Sequence, residues 1–502
     1  ESFDYAGLPT RVYSPVGKPD DLLAYLIRRL LENGANSSFL KSLAQKRDDL
    51  MNVDVLQEFR EEMIGEGTDG TNTSTLLSSG LPNSPRDVYG GLRLSARGMD
   101  FERPSFPGVF ALTDSFRPDV KSFQFRDEND EAFKAMLSKV KAQKFVSVSG
   151  DSYVESVKRR ANALDKAADL IENDTVAFSK MIMEEAGKTL LDAGDEVREC
   201  VDFFRFYASR ARATLLEPRS LPTVTGESCL LRAQPRGPWL CVGPFNFPFA
   251  IVGGLVSSAF VAGNPVVIKP HPKTPRCAMA LADVMQRAGA LDNDIRVVLD
   301  DDKNGAGAAL IKSGAFAGVS FVGSSQVAAR INLSLAQNAV ENDAPLARLV
   351  AETGGLNALV VDASALPEQA CDAVLRSFAQ SAGQRCSSAR VLILDNGVKH
   401  ELLDMLSGGL QAMRVSADNL NCSTDVGPLI STEAAQKAVD HCIELEANGS
   451  TLVAKTIGSD DIDNGLFHPR VYDLNPSGQN PVDALSQITQ ELFAPVLHVL
   501  TY

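Results

Sequence analysis

Apolar positions in the middle of the chain fall at helical spacing. Over residues 152–173, 175–187 and 193–213 they recur every three to four residues with charged side chains between them, which predicts three long amphipathic helices. Beyond residue 229 the period changes. Short apolar runs such as 358–361 and 390–394 alternate with helical stretches, the pattern of doubly wound parallel sheets covered by helices. Residues 239–268 carry no charge, which by length alone would suit a membrane span. Pro238, Pro244, Pro248, Pro265 and the pair Gly253 and Gly254 divide the stretch instead into strand, turn, helix and strand of a sheet buried on both faces.

The first forty residues form a different pattern. Residues 11–14 read as a short strand, 15–17 as a turn, and 22–31 as a helix capped by Asp20 or Asp21 and stopped at Asn33 and Gly34. A single βα unit over 1–40 cannot bury its own apolar face, so it calls for neighbouring strands outside this chain. Residues 41–60 are polar and helical in character. Residues 65–86, rich in Gly, Ser, Thr, Asn and Pro, read as a linker. With the connecting residues that follow, 41–126 separate the first unit from the main α/β body.

Length and charge narrow the function. At roughly 100–200 residues per domain, 502 residues make two to four domains. The 49 basic and 64 acidic side chains leave a net charge of −15, which repels a phosphate backbone, so a small-molecule partner is expected and nucleic-acid binding is not. Residue 1 is Glu and no charged-then-apolar leader opens the chain, so the sequence is expected to begin inside a longer protein. The eight cysteines are scattered singly, without a C-x-x-C pair or a Cys/His cluster at metal spacing. That usage points to a cytoplasmic protein with no bound metal.

One cysteine stands in unusual company. Alone, Cys386 in Ser381-Ala-Gly-Gln-Arg-Cys386-Ser-Ser would be a packed core thiol. Thirty-four residues upstream, however, Glu352 enters a glycine pair in Ala351-Glu352-Thr353-Gly354-Gly355-Leu356-Asn357. Earlier still comes Gly243-Pro244-Phe245-Asn246-Phe247-Pro248, followed 23 residues beyond Asn246 by Lys269-Pro270. Phe321-Val322-Gly323-Ser324-Ser325 and Glu491-Leu492-Phe493-Ala494-Pro495-Val496 complete the set.

In this order and at these spacings the pieces resemble the aldehyde dehydrogenase superfamily over residues 127–502. The resemblance implies an α/β fold, with a Rossmann-like NAD domain over 127–350 and an α/β catalytic domain over 351–502 that stops before the family's final strand. It implies that Cys386 attacks an aldehyde, that Asn246 and the Cys386 N–H receive the oxyanion, and that Glu352 activates the hydrolytic water. Such an acid is expected to be buried enough to keep its pKa near working pH. For NAD the resemblance implies Phe245, Lys269, Gly323, Ser324, Glu491 and Phe493. The chain departs from the family at Pro272, where Lys-Pro-x-Glu is usual, which leaves NAD against NADP open, and at Ala494, where glycine is usual.

Two further stretches narrow the resemblance. Glu185-Ala-Gly-Lys-Thr-Leu190, Asp192, Glu196 and the Arg385 and Ser387 flanking Cys386 are similar to the glutamate semialdehyde (pyrroline-5-carboxylate) dehydrogenase branch. There Arg385 and Ser387 would hold the substrate carboxylate, although Arg385 paired with an acid and Ser387 at a helix cap is the alternative. Residues 11–36 resemble the last βα unit of the FAD-dependent (β/α)8 proline dehydrogenase barrel. In that barrel Tyr13 sits at a strand end, and Arg28 and Arg29 grip the proline carboxylate. The two together identify the bifunctional proline utilization A family, which oxidises proline on FAD and glutamate semialdehyde on NAD to glutamate. Its full enzyme is expected to be a homo-oligomer with a peripheral quinone contact at a membrane. A stand-alone semialdehyde dehydrogenase, a general aldehyde dehydrogenase and a non-catalytic scaffold on this fold are the alternatives.

Overall fold

The computed structural model describes residues 85–89, 91–98, 110–143, 151–300, 305–418, 421, 423–476 and 480–502. The βα unit expected over 1–40, with Tyr13, Arg28 and Arg29, lies outside the described residues, as do residues 41–84. The linker expected over 65–86 ends in a docked turn: Pro85–Asp87 forms a 3-10 turn from which Arg86 reaches a buried acid.

After α1 (Glu131–Ala142), the three predicted helices appear as α2 (Asp151–Asn173), α3 (Thr175–Ala186) and α4 (Leu190–Leu215), their ends within three residues of the sequence pattern. Gly187 stops α3 at φ 69°, a left-handed conformation its missing side chain permits. The apolar faces of α2 and α4 meet through Leu164, Ile171, Val197 and Phe204. Between them lies Glu172, held by Arg205 at 3.0 Å, by a bidentate Arg86 at 3.0 and 2.9 Å, and by the Arg97 N–H at 2.8 Å. Burial alone would push this carboxyl upward, but the bonds from Arg205, Arg86 and Arg97 outweigh it and hold it down at about 2.

The first sheet contains β1 (Phe123–Gln124), β4 (Trp239–Val242), β5 (Val266–Lys269), β6 (Ile295–Leu299), β7 (Gly318–Gly323) and β8 (Arg348–Thr353), all parallel, in the order β1-β6-β5-β4-β7-β8. The small antiparallel ribbon β2 (Arg219–Leu221) and β3 (Cys229–Leu231) stands apart. The uncharged stretch becomes β4, α5 (Ala250–Val261) and β5. At about 1.5 Å per residue α5 is too short to cross a bilayer, and among the described residues no helix is long and apolar enough to do so.

From β4 the chain builds outward through β5 and β6, then returns to place β7 on the other side of β4. The carboxyl ends of β4 and β7 therefore flank a topological switch point, where open α/β sheets form their ligand crevice. At the opposite end of the same strands sits Trp239, the sole tryptophan of the chain. Its ring lies so close over Gly318 that a Cβ there would collide with it, and its Nε1 donates to Ser320 Oγ at 2.8 Å.

Helices α6 (Pro275–Ala288), α7 (Ala306–Lys312) and α8 (Ser325–Glu341) complete the first lobe. The second sheet contains β9 (Asn357–Val361), β10 (Ala389–Leu394), β11 (Thr451–Lys455), β12 (Arg470–Asp473) and β13 (Val496–Thr501), in the order β11-β12-β13-β10-β9. It differs from the purely parallel expectation in one strand, for β11 runs antiparallel to β12. Their connection holds only the 3-10 turn Ile462–Asn464 in place of a crossover helix, so the chain must reverse direction. Its helices are α9 (Pro367–Ala379), α10 (Lys399–Ala412), α11 (Thr432–Ala447) and α12 (Pro481–Leu485), packed over Phe378, Leu392, Leu406 and Leu497.

Candidate active site

The turn that presents Cys386 is strained and held from several sides. After α9, residues Ser381, Ala382 and Gly383 take φ values of 54°, 53° and 67°, three left-handed residues in succession. For the two that carry a Cβ, this costs roughly 1–2 kcal/mol each. Asp192, buried in the first turn of α4, offsets the strain. Its Oδ2 accepts the Ser381 N–H at 3.1 Å, and its Oδ1 accepts from Gln380 Nε2 and from Arg385 Nη2, both at 3.0 Å. Arg385 Nε closes the ring on Ser381 Oγ at 2.9 Å. On the other side, a Cβ on Gly383 would lie 2.6 Å from the Ala494 carbonyl carbon, so this position requires glycine.

Cys386 emerges half-buried from this turn, with Ser387 beside it. Asn357, the first residue of β9, fixes the chain around it by donating to the carbonyls of Cys386 at 2.6 Å and Ser388 at 3.0 Å. Behind the thiol lies Arg390, only 1% exposed. It donates to the carbonyls of Gly383 at 2.7 Å and Arg385 at 3.0 Å, and to Glu491 Oε1 at 2.9 Å. Burial pushes this guanidinium below its ordinary value, while Glu491 and the charge of the Cys386 sulfur oppose the shift. A chain of imidazoles supports Arg390 from below. His498 Nδ1 donates to the Arg390 carbonyl at 2.7 Å, leaving its Nε2 to accept from His441 at 2.8 Å. Burial drives His498 down to about 3, so the ring is neutral at neutral pH.

Asn246 comes to the same place from the first lobe. It follows β4 at the switch point, is buried, and donates its Nδ2 to the Gln384 carbonyl at 2.9 Å. The preceding Phe245 meets Phe493 edge-on, with ring centroids 5.7 Å apart, and Phe493 in turn lies under Arg390 at 5.3 Å. Phe247 carries two cations on its ring, Lys188 at 3.5 Å and Arg385 at 5.3 Å.

The sequence motif around residues 185–196 has a structural reason. Glu196 Oε1 accepts the Phe249 and Ala250 N–H groups at 2.8 and 3.1 Å, and Glu185 accepts those of Arg276 and Cys277 at 2.6 and 2.8 Å. The two acids cap the N-termini of α5 and α6 from outside, where the helix dipole favours negative charge.

At the carboxyl end of β7, Ser324 caps α8 by accepting the Val327 N–H at 3.3 Å, and Gly323 fits under the Phe321 ring, which a Cβ would approach to 2.5 Å. The Glu491 carboxylate lies directly on Gly354, where any Cβ would overlap it. Lys269 ends β5 and is paired with Asp300 at 2.9 Å. A buried cation, the N-terminus of α8 and a glycine-lined approach along the carboxyl edge of a parallel sheet fit a dinucleotide.

Two expectations change. Arg385, expected at the substrate carboxylate, is paired with Asp192 and Ser381, the alternative also open from the sequence, because a half-buried guanidinium beside a buried acid pairs with it. Glu352, expected to be buried, is exposed, because β8 is the outer strand of its sheet; its register partner Val322 places it beside Gly323 at the switch point. Three partners were not visible from sequence: Arg390, Asn357 and Asp300. Of these Arg390 left a trace, a charge opening the apolar run Arg390-Val-Leu-Ile-Leu394.

Comparison with known proteins identifies the family. The aldehyde dehydrogenase family model matches residues 132–502, and the proline dehydrogenase model matches residues 2–42. Bifunctional protein PutA of Rhizobium meliloti is 32% identical over 98% of this chain, which covers 39% of that protein. The 1-pyrroline-5-carboxylate dehydrogenase of Bacillus subtilis is 29% identical over 68% of this chain and 64% of its own length. A crystal structure of bifunctional proline utilization A superposes with a TM-score of 0.74 at 34% identity, over 98% of this chain and 46% of that one. The chain thus spans less than half the length of its PutA relatives. It belongs to the aldehyde dehydrogenase family, as a homologue of the PutA proteins with a short proline dehydrogenase segment at its N-terminus.

Proposed function

We propose that residues 127–502 carry out the NAD-dependent oxidation of L-glutamate 5-semialdehyde, formed by ring opening of 1-pyrroline-5-carboxylate, to glutamate. The observation that carries this reading is the meeting of the Cys386 turn and Asn246 at the switch point, with Asn246 Nδ2 bonded to Gln384. Cys386 sulfur forms a bond to the aldehyde carbon, and the carbonyl oxygen becomes an oxyanion. Asn246 Nδ2 has a second hydrogen to offer it, beside the Cys386 backbone N–H; one such donor is worth about 3–4 kcal/mol in the transition state. The hydrogen and its electron pair would leave the substrate carbon for a bound dinucleotide, which supplies the two-electron acceptor. Glu352 then takes a proton from water, which attacks the thioester carbon and releases the carboxylate product and the Cys386 thiolate.

Lys269, Ser324, Gly323, Phe245, Glu491 and Phe493 would hold the dinucleotide along the carboxyl edge of the first sheet. Ser387 would meet the substrate carboxylate, whereas the Asp192 pair supports a positioning role for Arg385. In the longer protein, a FAD barrel containing Tyr13, Arg28 and Arg29 would oxidise proline to the pyrroline that this half consumes.

The test is semialdehyde-dependent NADH formation by the full-length parent, with proline-dependent dye reduction followed in parallel. Cys386→Ala should abolish the first and spare the second. NADH formation that survives in Cys386→Ala would overturn the thioester reading.

A further inference from the structure

We propose that Asp300 makes this site select NAD over NADP, by presenting a carboxylate where the 2′-phosphate of NADP would have to sit. The proposal rests on the dinucleotide reading above and adds to it the choice between the two cofactors.

Lys269 closes β5, and Asp300 directly follows β6, its parallel neighbour in register through Ile268 and Val297. Both side chains therefore stand at the carboxyl edge of the sheet, on the side where such sheets take their ligand. There they form an ion pair of 2.9 Å whose side chains are 11% and 4% exposed. The second carboxylate oxygen of Asp300 is fixed independently, accepting the Ala306 N–H at 3.0 Å where α7 begins. Gly307 brings this helix start against the Lys269 stem, since a Cβ there would lie 3.9 Å from Lys269 Cε.

Lys269 alone would favour the extra phosphate. An unpaired ammonium at a helix start attracts a dianionic group, but here Asp300 neutralises it before any ligand arrives. The ribose of NAD offers a 2′-hydroxyl, which donates a hydrogen bond to a carboxylate; a 2′-phosphate brings only acceptor oxygens and negative charge. In dinucleotide folds generally, an acid at the ribose marks NAD and an arginine marks NADP. Pro272 removes the acid expected two residues after Pro270, and Asp300 supplies one from the neighbouring strand.

The experiment is calorimetric titration of the whole chain with NAD+ and NADP+, for the wild type and for Asp300→Asn, which keeps an acceptor for the Ala306 N–H. The wild type should bind NAD+ at least about tenfold tighter than NADP+, and Asp300→Asn should close most of that gap by tightening NADP+. A second measurement needs no variant: on the wild type, 2′,5′-ADP should bind about tenfold more weakly than 5′-AMP. Equal binding of the two adenosine fragments, or an unchanged NADP+ affinity in Asp300→Asn that still binds NAD+, would overturn the role of Asp300 alone. A wild type that binds neither cofactor would overturn the dinucleotide reading, and this proposal with it.

Discussion

Asp192 and Arg385, separated by 193 residues of sequence, are joined at 3.0 Å in a nearly buried ion pair directly behind the Cys386 turn. The same carboxylate receives the Ser381 N–H, so a single acid on α4 both neutralises the arginine next to Cys386 and holds a left-handed backbone that would otherwise relax. The turn of the second lobe is thus set by the first.

Removing that acid should therefore damage both lobes. Asp192→Ala removes the carboxylate partner of a half-buried guanidinium and leaves the Ser381 N–H unsatisfied, and is expected to cost about 2–3 kcal/mol of stability. Asp192→Asn keeps an acceptor and should lose less stability while still slowing turnover. Urea denaturation and steady-state kinetics on both variants check this; a fully active Asp192→Ala enzyme would show that the turn holds itself.

Gly383 should not tolerate even one methyl group. Its φ of 67° and the Ala494–Pro495 backbone against its Cα both oppose a side chain. Gly383→Ala is expected to lose roughly 1–3 kcal/mol and most of the aldehyde oxidation, since relief of the clash must move the segment carrying Cys386. Thermal unfolding and active-thiol titration would reveal it.

Glu352→Gln separates the two halves of the chemistry. In the proposed mechanism thioester formation does not need the carboxylate, whereas hydrolysis does, so the variant is expected to give a single burst of NADH close to one per active site and then stall. Rapid-mixing absorbance measures the burst. Steady turnover at the wild-type rate would assign the base elsewhere.

Acid should unfold the protein in two stages. His498, held down to about 3 by burial, stays neutral while the unfolded chain gains a proton below about 6.5, so stability falls from about pH 6.5 towards 3. Glu172, held down at about 2 against about 4.3 unfolded, contributes stability above pH 4.3 that is lost between there and 2. Each effect is on the order of a few kcal/mol. Urea midpoints should decline from pH 6.5, and His498→Asn should flatten the upper stage; a profile flat to pH 4.5 would contradict the neutral buried ring.

Sequence carried the regular parts of this fold well, and for a physical reason. The faces of α2, α3 and α4 repeat over several turns, and the prolines and glycines of 239–268 mark each strand and turn locally. The motifs carrying Cys386, Asn246, Glu352 and Lys269 were equally local. What escaped is pairwise and distant: Asp192 with Arg385, Arg390 with Glu491, Lys269 with Asp300, each joining residues that only the folded sheets bring together. The exposure of Glu352 escaped for a related reason, since an edge strand and a central strand read alike until the sheet order is known.

The single tryptophan has a practical meaning. Trp239 is wedged between β4 and β7, the two strands that frame the switch point, and the second lobe has no tryptophan of its own. Emission excited at the indole edge therefore reports one lobe alone. Compared with far-ultraviolet circular dichroism, which follows the helices and strands of both lobes, it lets melting of the sheet that holds Trp239 be timed separately from loss of the whole fold.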